Sequence, residues 1–83
     1  MDYVKIDIKK TGEKINQIRQ EKNVSVEEIK KYMGMHSPTA IYKWFRGETL
    51  PSTDNLVALA AFLGVALDEI IVREGDAINH RGT

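Results

Sequence analysis

The feature that most constrains this 83-residue chain is how often it is punctuated. Asn23, Gly34, Gly47 and Gly64 recur at short intervals, and Ser25, Ser37 and Ser52 each stand just ahead of a run containing apolar residues. Glycine or asparagine takes the left-handed conformation that ends a helix, and serine caps the start of the next. Helices confined between such marks are too short to be stable alone in water. They must be held by packing against one another, as short helices with tight connections.

Residues 8–20 place Ile8, Ile15 and Ile18 on one helical stripe, completed by Thr11 or Gly12, with Lys9, Lys10, Lys14 and Gln17 away from it. Asp7 or Thr11 can cap this helix, and Asn23 is its left-handed stop. Ser25, Val26, Glu27 and Glu28 form a capping box, with Val24 and Ile29 at the hydrophobic-staple positions, so a second helix is predicted from Val26 to about Met33. Ser37 followed by Pro38 predicts a third helix from Pro38 to Arg46, since proline at the first helical position loses no hydrogen bond. Ser52 caps a fourth, carrying Leu56, Leu59, Ala60 and Leu63 on one face, and a last short helix fits Leu67 to Val72. Val4, Ile6 and Ile8 alternate with Lys5 and Asp7, as in a short strand or an extended arm. The chain thus divides into an arm over 1–10, a domain over 11–72 and a polar tail over 73–83, expected to fray.

Composition removes several classes of function. The absence of cysteine excludes a disulfide framework, a thiolate zinc site and a cysteine nucleophile, and is in keeping with a reducing compartment. No apolar run approaches a membrane span, and the opening "MDYVKIDIKK" lacks the apolar stretch of a signal peptide, so a cytoplasmic protein is expected. His36 and His80 have no ligand spacing, and neither metal nor cofactor is expected. No nucleophile has an adjacent base and no glycine-rich phosphate loop follows a strand, which argues against an enzyme. A domain this small buries only about 60% of its unfolded surface, so a second subunit would help it.

The formal charge is zero, but it is unevenly placed. From Lys9 to Arg46 there are nine Lys or Arg against four Glu; residues 47–83 carry two Arg against six Asp or Glu. Such a chain can present a cationic side to a polyanion despite its neutral total. Two solvated faces without a partner would look the same in composition.

The predicted third helix, Pro38 to Arg46, has two unlike faces. At about 100° per residue, Ile41, Trp44 and Phe45 share an apolar side, while Thr39, Tyr42, Lys43 and Arg46 form an opposite stripe of donors with no carboxylate. A helix, a turn at Gly34, and a short helix after Ser37 have the spacing of a helix-turn-helix, whose second helix enters the DNA major groove. Small residues at its leading end, Ser37 to Ala40, permit close approach.

With Gly12, Ile15 and Arg19, then "VSVEEIKKYMG", then "AIYKWFRGETLPSTDNLVALAAFLGVALDEIIV", the chain resembles the phage repressor/Cro-like, or xenobiotic-response-element, helix-turn-helix family of bacterial transcription regulators. The resemblance covers about residues 11–72 and implies an all-α, five-helix lambda-repressor-like domain that binds double-stranded operator DNA, commonly as a homodimer; a repressor is the role expected here. Carried over by position, it makes Ser37, Pro38, Thr39, Tyr42 and Lys43 base-facing, and Lys14, Ser25, Arg46 and Ser52 phosphate-facing. Three departures stand out. Phe45 occupies the place of a glutamate that pairs with the first helix's arginine, so Arg19 must find another partner or turn to phosphate. The turn from Gly34 to Ile41 is one residue longer than the family's common form, and Ala66 replaces a capping Ser or Thr. The alternative is an interaction module, such as an antitoxin, that offers its acidic second half to a basic protein partner.

Overall fold

The computed structural model describes residues 3–75. Five helices follow in order: α1 (Ile8–Glu21), α2 (Val26–Met33), α3 (Thr39–Arg46), α4 (Thr53–Leu63) and α5 (Leu67–Ile70). Pairing outside the helices is limited, among the described residues, to an isolated antiparallel bridge between Ile6 and Arg73. The expected all-α architecture is therefore the observed one. Among the described residues no helix is long and apolar enough to cross a membrane.

The punctuation acts residue by residue. Asp7, rather than Thr11, caps α1: its carboxylate accepts from the Lys10 amide at 2.9 Å. Asn23 lies at φ 58°, and the chain leaves α1 there. Both halves of the capping box form, with Ser25 Oγ accepting from Glu28 N at 3.0 Å and Glu28 Oε1 accepting from Ser25 N at 2.8 Å. Gly34, Gly47 and Gly64 are all left-handed, ending α2, α3 and α4.

Two boundaries differ from expectation. Helix α3 begins at Thr39, one residue later than the predicted Pro38. Pro38 is the half-in residue: its carbonyl accepts from Tyr42 N at 3.1 Å, while its own ψ of 5° is that of a turn. Helix α5 stops at Ile70, short of the predicted Val72, because the next residues are claimed elsewhere. At Ile71 the backbone becomes extended (φ −90°, ψ 122°), and Val72 N donates to the buried Thr11 hydroxyl at 2.9 Å. Asp7 N donates to Val72 O, and Glu74 N to Lys5 O, both at 2.8 Å. Continuing the helix would forfeit this pairing. The alternating arm is thus extended where it meets Arg73, and the first residues of the expected tail are paired. The rest of that tail, with Ile78 and His80, lies outside the described residues.

Ile15, Ile18, Ile29, Ile41, Trp44, Leu56, Leu59, Ala60, Leu63 and Ile70 form the core. Ile8, assigned by period to the same stripe, is 41% exposed in the first turn of α1; the stripe reaches the core only from Thr11 onward. Helix α3 packs on α1 and α2 on α4, where the Tyr32 and Phe62 rings stack at 4.3 Å between centroids.

The α1–α3 crossing is held by absent side chains. A Cβ on Gly12 would lie 1.8 Å from the carbonyl oxygen of Trp44, and one on Gly47 would lie 2.6 Å from Cα of Lys9. Backbone meets backbone at both places.

Candidate nucleic-acid interface

With Ile41 and Trp44 buried against α1, the opposite side of α3 turns outward. Thr39, Tyr42, Lys43 and Arg46 are exposed, as is Ser37 ahead of the helix, while Pro38 is half-buried. The Ser37 hydroxyl donates to Thr39 Oγ1 at 3.2 Å, which ties the leading residues together. Tyr42 is 44% exposed, and its ring stands at right angles to that of the half-buried Phe45, 6.1 Å away.

The stripe is not free of carboxylate. Gly47 turns the chain back so that Glu48 N donates to the Lys43 carbonyl at 2.9 Å, and the Glu48 carboxylate accepts from Arg46 Nε in an ion pair. The hydrogen bond from Arg46 holds the Glu48 carboxyl below its usual range, with the charges of Arg46 and Lys43 adding to the effect. The same bond raises Arg46. Linear spacing along α3 hides this contact, because it depends on the left-handed turn beyond the helix.

Arg19, deprived of a glutamate at position 45, has other partners. Its Nε donates to Asn16 Oδ1 at 2.9 Å and its Nη1 to the Val24 carbonyl at 3.4 Å. The guanidinium carbon lies 5.4 Å from the centre of the Phe45 ring, a cation–π contact replacing an ion pair. The i,i+3 spacing of Tyr42 and Phe45 was the available signal for their ring contact.

The remaining candidates are dispersed. Ser25 and Ser52 are exposed, but their hydroxyls are committed to caps, Ser52 Oγ accepting from Asn55 N at 3.2 Å. What they leave for an anion is the amides of the first helical turn. Asp54, in that turn of α4, opposes an anion. Lys14 lines a groove between α1 and α5 with Asp68, Glu69 and Val72. By helical period it is on the flank of α1 opposite Gly12, where α3 crosses, and so stands apart from the stripe.

Two helices joined through a glycine turn, the second wedged on α1 with its donor stripe outward, define a helix-turn-helix protein. The helix-turn-helix family model HTH_3 matches residues 15–70, and the chain belongs to that family, of the xenobiotic-response-element type. Among solved structures, the restriction-modification controller protein C.AhdI from Aeromonas hydrophila is 25% identical, covering 77% of this chain and 96% of that one with a TM-score of 0.69. The DNA-binding domain of BldD is 22% identical, covering 80% of this chain and 94% of that one with a TM-score of 0.68. The clp gene regulator ClgR from C. glutamicum is 21% identical, covering 75% and 79% with a TM-score of 0.67. The last two are likenesses of fold alone. No curated protein gives a significant match. By family the chain is a DNA-binding transcription regulator and not an enzyme.

Proposed function

We propose that the chain is a sequence-specific repressor that occupies operator DNA as a homodimer in the cytoplasm, with α3 in the major groove. The observation that carries this reading is the exposed stripe of Thr39, Tyr42, Lys43 and Arg46 on a helix whose other face is fixed to α1. A groove about 12 Å wide admits one helix. Ser37, Pro38, Thr39, Tyr42 and Lys43 then face base edges, while Arg46 and the first-turn amides behind Ser25 and Ser52 face phosphates. Lys14, on the α5 flank, falls outside this footprint. The controller role named for the structural neighbour from Aeromonas hydrophila supports reading the chain as a regulator.

Duplexes selected from a random pool provide the ligand for the test. Lys43→Ala with Arg46→Ala is expected to weaken binding and to shrink the slope of log affinity against log salt by about 1 for each side chain that neutralises a phosphate. Unchanged affinity at every salt concentration would remove α3 from the interface. For the dimer, the half-buried Leu67, Ile71 and Val72 supply an apolar surface at the end of the domain, while Ile70 between them is fully buried in the core. Sedimentation with and without the selected duplex gives the stoichiometry.

A second reading, a protein-interaction module such as an antitoxin, is favoured by α4. Its sequence is apolar nearly all round, and Val57 is 52% exposed. Co-purification of a basic partner, with no retention of any selected duplex, would support this reading instead.

A further inference from the structure

We infer that Phe45 is a positioning residue for sequence discrimination: clamped by Arg19 on α1, it orients the Tyr42 ring that the exposed face of α3 presents. This rests on the DNA-binding reading above and assigns a role within that site to two residues that lie outside the base-facing stripe.

The argument follows a chain of contacts. Asn16 Oδ1 and the Val24 carbonyl take hydrogen bonds from the Arg19 guanidinium, which fixes its plane. That cation lies 5.4 Å from the centre of the Phe45 ring. Phe45 in turn meets Tyr42 at 6.1 Å with the two ring planes perpendicular, the geometry that aromatic quadrupoles favour. An exposed tyrosine normally samples several rotamers, and ordering it on binding weakens the complex. Here the Tyr42 ring already rests against Phe45, although the residue remains 44% exposed. A side chain ordered in advance can discriminate among base edges or thymine methyl groups, because a mismatched base cannot be met by swinging the ring elsewhere. Neither Phe45 nor the clamped Arg19 needs to touch the duplex.

The test is a double-mutant cycle on the full chain. Phe45→Leu keeps apolar bulk but removes the ring; Phe45→Tyr keeps the ring. Affinity is measured for the selected duplex and for one with a single substituted base pair, beside thermal unfolding and the NMR signals of the Tyr42 ring. Phe45→Leu is expected to shift those signals in the free protein and to reduce discrimination about three- to tenfold, the scale of one aromatic pair. The salt slope should stay unchanged, since no charge is removed, and Phe45→Tyr should retain discrimination. In a Tyr42→Ala background, Phe45→Leu should have no further effect on discrimination.

Equal losses in both backgrounds, or unmoved Tyr42 signals, would overturn the positioning role while leaving DNA binding intact. Full discrimination by folded Phe45→Leu would do the same. A wild-type chain that retains no duplex would overturn the functional reading itself, and the specificity role with it.

Discussion

At the scale of single residues, Glu48 is the group that sets how much of the α3 charge is available. Its carboxylate engages Arg46 on the exposed surface, so in the proposed complex a phosphate would compete with it for the same guanidinium. Glu48→Gln is expected to tighten binding to the selected duplex by up to about fivefold at low salt, the range of an exposed ion pair. Because the folded carboxyl is depressed, the pair is fully present above the unfolded value near 4.3 and is lost as pH falls through the folded one. Arg46, being raised, changes only at alkaline pH beyond arginine's ordinary range. NMR titration of the Glu48 carboxyl should give a midpoint below that of free glutamate, moving upward in Arg46→Ala; a midpoint indifferent to that change would dissolve the pair. Gly12 works through steric room alone. Gly12→Ala drives a methyl group to within 1.8 Å of the Trp44 carbonyl, so a loss of about 3 kcal/mol or more is expected in thermal or denaturant unfolding. Gly34→Ala, left-handed but with nothing within 4 Å, should cost only about 1 kcal/mol.

At the scale of elements, the helix starts differ in quality. Ser25 has both halves of its box, but at α5 only Glu69 contributes, accepting from Ala66 N at 2.8 Å. Alanine offers no oxygen to the amides behind it. Ala66→Ser should complete the box and raise stability by about 0.5–1 kcal/mol, seen as a higher denaturation midpoint at unchanged slope. The helical plan was legible in the sequence because caps and left-handed stops act locally: Ser25, Gly34, Gly47, Ser52 and Gly64 determine their boundaries from side chain or φ alone. The end of α5 was not, since it depends on Thr11, 61 positions from Val72. The same distinction runs through the candidate site. The outward face of α3 follows from its period, whereas the Arg46–Glu48 pair and the clamp on Phe45 arise from a turn and a neighbouring helix that no period reports.

At the scale of the whole molecule, the buried Thr11 hydroxyl joins the first helix to the segment after the last. It accepts from Val72 N at 2.9 Å and lies 3.4 Å from Val72 O, beside the pairing of residues 5–7 with 72–74. Thr11→Val keeps the shape and leaves the Val72 amide without its acceptor, so a loss of about 1–3 kcal/mol is expected, with faster amide exchange at Val72 and Glu74 than in the wild type. The crossing of α1 and α3 bears on DNA in another way. With main chain seated on main chain at Gly12 and Gly47, α1 and the end of α3 have little room to shift against each other at those two points. In the proposed complex the protein behaves as a stiff die, and the duplex must do the bending. Targets rich in easily kinked pyrimidine–purine steps should then be favoured even at positions that no side chain reaches.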